Sequence, residues 1–336
     1  MTQSNPKHRP RFFKRMLKIV AVMVATICLL LALLSLVQLF ATRVEREGNH
    51  APGKLVSVDG KKIHVYSAGE GDTTYVMLSG GGIGVPVLEY QPLWSRLAEH
   101  GRIAVVEYPG YGWSEDTEAS RTTEQMVEDI RAALSGANIQ PPYVLVAHSI
   151  GGLYAMEYAK SYPKDLEAIV ALDTTLPRSL AEAQKHDLSI QDSVPQLQPV
   201  ALLRKAGILR ALLWFNPLLV SGAPDGVYTE QEARQIAMVT SWNYASNALL
   251  NEFAALPENM EGLYDFAFPK DLPVLMIQAC PPGEESEATE WSLSERQRLI
   301  APLDHGKVVE LPAGHSGIYW LLSDNIVRET MSFLGK

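Results

Sequence analysis

The run from Tyr143 to Tyr158, YVLVAHSIGGLYAMEY, places Ser149 between a segment of buried-strand character and a helical pattern. A serine held on so sharp a strand-to-helix turn exposes its hydroxyl at the tip, where it can attack a carbonyl carbon. Such a turn tolerates only small flanking residues, and Ala147, Gly151 and Gly152 supply them. Ala147 stands where glycine is usual, a mild departure because alanine ends at Cβ. The helix that begins after Ser149 points its amide groups at any negative charge formed there.

A serine hydroxyl is a weak nucleophile near neutral pH and needs a base, which in turn needs an orienting group. Of eight histidines, His8 and His50 flank an apolar N-terminal segment, His64 lies in an early strand and His100 ends a helix. His148 adjoins the serine with its ring expected to turn into the fold, His186 lies in a helical insertion, and His305 precedes the last strand. Only His315 follows the last strand, in a Gly-His-Ser loop where strand ends converge, and it is the candidate base. Two places compete for the acid. Asp173 ends the strand after the elbow and is favoured; the loop after a later strand has no aspartate but carries Glu284, Glu285 and Glu287. The developing oxyanion needs two donors, expected from the Ile150 amide and from Gly81, with Gly82 next, in the glycine run of residues 80–84. That run matches neither a dinucleotide-binding fingerprint nor a P-loop, and no His-Glu-x-x-His sequence occurs, so neither cofactor nor metal is expected.

The elements that must carry these residues follow from the pattern. Strands are predicted over 55–58 and 63–66, joined by the hairpin signal Asp59-Gly60, and then over 74–78, 103–106, 143–146, 166–172, 273–278 and 307–311. Helices are predicted over 123–134, capped by Thr123, and over about 325–334. Apolar strands alternating with helices imply an α/β fold, a mainly parallel sheet covered on both faces. Residues 54–175 and 271–336 form this core. Residues 176–270 break the rhythm with two long helical patterns, 199–214 and 230–256, the second stopped by Pro257, and read as a helical cap inserted over the site. Trp214, Phe215, Leu218, Leu219 and Trp242 are candidates to line an apolar pocket beneath it or to pack between cap and core.

Residues 19–40 hold no charged side chain and would span about 33 Å as a helix, enough for a hydrocarbon core of about 30 Å. The stretch is long for a cleavable signal and lacks a small-x-small exit, so an uncleaved transmembrane anchor is expected. Lys7, Arg9, Arg11, Lys14, Arg15 and Lys18 precede it, which places a basic arm, residues 1–18, in the cytoplasm and the large domain outside the cell membrane. Residues 41–53 read as a linker. The chain's formal charge is −9; residues 1–47 contribute eight basic and two acidic side chains, which leaves −15 on the remainder. So acidic a body excludes nucleic acid as the expected partner. A small-molecule substrate and, through the anchor, membrane lipid are expected instead. Cys28 lies in the apolar segment and Cys280 in the folded part, so no disulfide framework is expected.

The elbow AHSIG (147–151), the loop SGGGIG (79–84), the segment PGYGWS (109–114) and Gly314-His315 together resemble the α/β-hydrolase superfamily over residues 54–175 and 270–336. The chain order serine, acid, histidine agrees. Two departures stand out: Ser79 replaces a frequent histidine before the glycines, and no aspartate follows the seventh core strand. The resemblance implies an esterase-like serine hydrolase working through an acyl-enzyme without an added cofactor. A serine at position 149 disfavours relatives that attack epoxides or haloalkanes with aspartate. A proline-type aminopeptidase, a non-catalytic ligand sensor and a surface interaction protein are the competing readings.

Overall fold

The computed structural model describes residues 9–179, 181–182, 193–283 and 286–336. Asp59 and Gly60 take the positive φ values, 47° and 77°, that a two-residue hairpin turn demands. They join β1 (Lys54–Val58) to antiparallel β2 (Lys61–Ala68). Six further strands follow: β3 (Thr74–Leu78), β4 (Arg102–Glu107), β5 (Tyr143–His148), β6 (Leu166–Leu172), β7 (Val274–Ala279) and β8 (Gly306–Leu311). They form one eight-stranded sheet ordered β1-β2-β4-β3-β5-β6-β7-β8, antiparallel only where β2 meets β1 and β4.

The central strands are apolar on both sides because helices cover both faces. Side chains alternate: Val76 and Leu78 of β3 join a core with helices α4 (Thr123–Gly136) and α5 (Gly151–Ser161). Tyr75 and Met77 face the opposite core, built with α2 (Pro86–Glu89), α3 (Gln91–Leu97) and the C-terminal helix. The α4 cap is Thr122, whose hydroxyl accepts from the Gln125 amide, one residue before the expected Thr123.

In the inserted segment each long helical pattern splits in two. The first gives α6 (Ser193–Lys205) and α7 (Ile208–Phe215), broken at Gly207, whose φ of +74° a helix interior does not allow. The second gives α8 (Glu230–Asn243) and α9 (Asn247–Gly262), broken at Ala245 with φ +53° and restarted by the Ser246 cap. Pro257 lies inside α9 instead of ending it; Leu256 and Met260, buried on either side, hold the helix in the core. The chain returns through α10 (Glu287–Ile300), α11 (Ile318–Leu321) and α12 (Ser323–Leu334).

The N-terminal helix, α1 (Arg9–Gly48), is longer than the apolar run alone, so most of the segment 41–53 is helical and not a linker. By length and composition α1 can cross a membrane. Its C-terminal part is docked on the inserted helices: Gln38 donates to the Ser241 carbonyl at 2.8 Å, Arg46 to Asn243 at 2.7 Å, and Trp242 to Glu45 at 2.7 Å.

Candidate active site

Every chemistry-bearing group of the site hangs from the C-terminal end of a parallel strand. Ser149 follows β5 directly and takes φ +54°, a left-handed conformation that costs a non-glycine residue energy and turns its side chain out of the sheet. The chain can do this because its neighbours are small. A Cβ on Gly151 would sit 2.6 Å from the Leu78 carbonyl oxygen, and one on Gly152 only 2.3 Å from Thr174 Cβ. Ala147 is fully buried in register with Leu78 and Ala171, where its single methyl group fills the space.

His315 lies in the loop after β8 with half of its side chain exposed. Its Nε2 is 3.0 Å from Ser149 Oγ, and its Nδ1 is 2.6 Å from Asp173 Oδ2. Asp173 caps the end of β6 with φ +42°, and its Oδ1 accepts from the Ala279 amide at 3.2 Å and from Arg296 Nη2 at 3.1 Å. Burial pushes the Asp173 carboxyl up, but the hydrogen bond from His315, the Arg296 charge and the Ala279 amide outweigh it, and the group lies below its ordinary value. Asp173 is therefore a carboxylate at neutral pH, aimed at one ring nitrogen of a histidine whose other nitrogen faces the serine. Glu287 is exposed at the start of α10 and makes no such contact; Glu284 and Glu285 lie outside the described residues.

The glycine loop after β3 lies against the elbow, since a Cβ on Gly80 would be 3.0 Å from Ser149 Cβ. Its amides divide by use. Gly80 donates to the Tyr90 hydroxyl at 2.9 Å and Gly82 to the Tyr111 hydroxyl at 3.3 Å. The amides of Gly81 and Ile150 have no partner among the described residues, which leaves two main-chain donors beside Ser149 for a negative oxygen.

The His148 ring turns into the fold as expected, but the polar contacts it makes there, like those of Tyr90, Tyr111 and Arg296, have no signal in the sequence. His148 is fully buried; burial, then the nearby His315, push its ring down to about 3, so it is neutral. Its Nε2 is 3.1 Å from the His315 carbonyl, and its Nδ1 is 2.8 Å from the Tyr90 hydroxyl. The neutral tautomer that satisfies both donates from Nε2 and accepts at Nδ1. Gly80, Tyr90, His148 and the His315 backbone thus form one chain of hydrogen bonds that ties the glycine loop to the base loop. Tyr111 donates to Glu252 of α9, and so does Tyr154 of α5. Burial raises the Glu252 carboxyl while the two tyrosine hydroxyls oppose that rise. Arg296, the charge behind Asp173, comes from a helix 123 positions later.

The expected apolar lining is different from the observed one. Trp214, Phe215 and Leu219 face solvent, whereas Trp242, against Trp113 and α1, and the half-buried Leu218 pack between the inserted helices and the core. Over the glycine loop stand Phe253 and Tyr244 instead: a Cβ on Gly81 would meet Phe253 Cζ at 2.9 Å, and one on Gly82 the Tyr244 hydroxyl at 3.7 Å. An α-helical face offers one residue in three or four to a given side, and the break at Ala245 turns α9 so that Phe253 takes this place.

A family model described as "Alpha/beta hydrolase family" matches residues 75–327. The chain belongs to the alpha/beta hydrolase family. It is 30% identical over 329 residues to "Uncharacterized protein YbdG" of Bacillus subtilis, a match that covers 96% of this chain and 98% of that one. It is 32% identical over 116 residues to a pimeloyl-[acyl-carrier protein] methyl ester esterase of Yersinia pseudotuberculosis, over 34% of this chain and 42% of the esterase. In structure this alpha/beta hydrolase resembles the epoxide hydrolase VrEH1 of Vigna radiata, with a TM-score of 0.65 at 20% identity, over 84% of this chain and 97% of that one. That likeness is one of fold.

Proposed function

We propose that this alpha/beta hydrolase is a serine hydrolase that cleaves an ester bond of a small to medium apolar substrate through an acyl-enzyme. The observation that carries the proposal is the relay Asp173–His315–Ser149, at 2.6 and 3.0 Å, beside the Gly81 and Ile150 amides, which have no partner among the described residues. His315 Nε2 takes the Ser149 proton as Oγ attacks the carbonyl carbon, and the tetrahedral oxyanion is held by the Gly81 and Ile150 amides. His315 then passes that proton to the leaving alkoxide oxygen, the ester bond breaks, and the acyl group stays on Ser149. Water, deprotonated by His315, attacks the acyl-enzyme, releases the acid and restores the serine. Asp173 keeps the proton of neutral His315 on Nδ1 and stabilises the imidazolium that forms. The esterase among the relatives supports ester over amide chemistry. So does Glu252, the buried carboxyl of the inserted helices: its two oxygens are engaged by tyrosines and not offered to a substrate amine.

Under the same proposal α1 is an uncleaved anchor that crosses the cell membrane, with the basic arm 1–18 in the cytoplasm and the hydrolase body outside. Residues 54–175 and 271–336 act as the catalytic core, and 176–270 act as a cap that shapes the pocket. A fluorophosphonate probe tests the catalytic part. The wild-type chain is expected to be labelled and Ser149→Ala to remain unlabelled; equal labelling of the two overturns it. p-Nitrophenyl acetate turned over in preference to proline anilides separates the ester reading from an aminopeptidase.

A further inference from the structure

Helix α7, ILRALLWF, holds one polar residue in eight. Its inner side, Leu209 and Leu213, packs on Ala237 of α8. Its outer side is also apolar: Ala211, Leu212, Trp214 and Phe215 are exposed, Phe215 by 86%. A helix apolar all round and covered on one side only needs a second apolar medium. The sole charge of the helix, Arg210, is spent on α1, donating to Gln38 at 2.6 Å, to Thr42 at 3.0 Å and to Glu45; Arg234 of α8 stands over the Trp214 ring at 5.7 Å, a cation at the edge of the face.

Where α7 begins gives the depth of that end along α1, and Leu213 and Trp214, toward its other end, share a cavity with Glu45, just beyond the apolar run. Gly207, at the corner between α6 and α7, packs so closely on α1 that a Cβ there would meet the Leu34 carbonyl oxygen at 2.8 Å. The apolar run of α1 continues to Phe40, six residues beyond Leu34. At 1.5 Å per residue the corner therefore lies about 9 Å below the end of the apolar run. Amphipathic interfacial helices sit about 5–10 Å into the headgroup and acyl boundary. A groove between α1 and α6 reaches past the end of the apolar run, and its lining holds Arg43, Arg46, Arg204 and Lys205 against the single acid Glu47, a net cationic edge that suits lipid headgroups.

We propose that the outer face of α7 is immersed in the bilayer beside α1, so that the cap over the active site rests on the membrane surface. The occupant of this face is lipid. The proposal rests on α1 being a membrane span. In that arrangement α1 is a rigid post as well as a tether, and the hydrolase meets its substrate at the lipid–water boundary.

The test uses the full-length chain in nanodiscs of phosphatidylcholine and phosphatidylglycerol, with Cys28→Ala and Cys280→Ala removing the native thiols. Spin labels are placed singly at Leu212→Cys on α7, at Leu30→Cys in the apolar run of α1, and at Glu99→Cys beside the start of β4, at the sheet end remote from the cap. Power saturation compares access to oxygen with access to a water-soluble nickel chelate. The expected result is lipid-like access at 212 and 30 and water-like access at 99. Water-like access at 212 with lipid-like access at 30 overturns the proposal and leaves the anchor standing. Water-like access at both sites overturns the anchor and the proposal with it. A label at 212 shielded from both reagents marks a protein contact, such as a second copy of the chain, and also overturns it. An independent readout keeps both native cysteines. Brominated acyl chains should quench tryptophan emission more in the wild type than in Trp214→Tyr; equal quenching counts against the proposal.

Discussion

Replacing Asp173 by asparagine has a consequence that the hydrogen bonds dictate. Oδ1 accepts from two donors, the Ala279 amide at 3.2 Å and Arg296 at 3.1 Å. An amide side chain must therefore keep its oxygen there, because an NH2 group would face two N–H donors. Its nitrogen then takes the Oδ2 position, 2.6 Å from His315 Nδ1, and donates to it. The His315 proton moves to Nε2, the atom that must accept from Ser149, and the base is disabled without any displaced backbone. A triad histidine held in the wrong tautomer loses about 10⁴-fold in kcat, which is about 5.4 kcal/mol of transition-state stabilisation at 1.36 kcal/mol per factor of ten. Hydrolysis of a p-nitrophenyl ester at pH 7.5 measures the loss, and thermal unfolding verifies that the variant is folded. Glu287→Gln, altered at an exposed site, is expected to stay within about twofold of wild type. A folded Asp173→Asn variant that loses less than tenfold would refute the reasoning and move the acid to the glutamate-bearing loop.

Other perturbations probe the surroundings. Burial pushes the Glu89 carboxyl up to about 7 from an ordinary 4.5, against the Val85 and Gly84 amides. A carboxyl raised by folding binds its proton more tightly in the native state, so stability is full below about pH 4.5 and falls as pH rises to 7, by about 3 kcal/mol. Glu89→Gln should therefore unfold at a higher temperature than wild type at pH 8 and lose that advantage at pH 4.5; parallel melting curves across this range would contradict the assignment. Gly152→Ala drives a Cβ to 2.3 Å from Thr174 Cβ and should lower stability by about 1–3 kcal/mol in urea unfolding. Tyr111→Phe frees the Gly82 amide and leaves Glu252 with one donor, so kcat should fall about tenfold with KM little changed. Tyr154→Phe, which touches Glu252 alone among these groups, should fall less, and equal losses would remove the glycine loop from the explanation.

The sequence made the local features legible. The elbow at Ser149 is a strand pattern followed at once by a helix pattern with small residues at the bend, and the hairpin at Asp59-Gly60 is a backbone demand written in two residues. His315 is legible because it alone among the histidines follows the last strand of the parallel sheet, a matter of topology. What stayed hidden depends on contacts between distant parts of the chain. Arg296 is an arginine in an ordinary amphipathic helix until α10 folds against the end of β6. Tyr90, Tyr111 and His148 look like core aromatics, and only the fold turns their polar atoms toward the glycine loop. The inserted helices are hidden at their breaks, since Gly207 and Ala245 end helices through single positive φ values that no apolar period reveals. Those breaks decide which faces turn inward, so Phe253 lies over Gly81 while Trp214 and Phe215 point outward.

The serine mechanism stands on a covalent bond to Ser149 Oγ. Rapid mixing with excess p-nitrophenyl acetate, followed by acid quench and intact-mass and peptide mass spectrometry, measures it directly. The prediction is a burst of nitrophenol together with a single acetyl adduct on the peptide that carries Ser149, absent in Ser149→Ala. Turnover at the wild-type rate in Ser149→Ala, or an adduct found only on another residue, would contradict it.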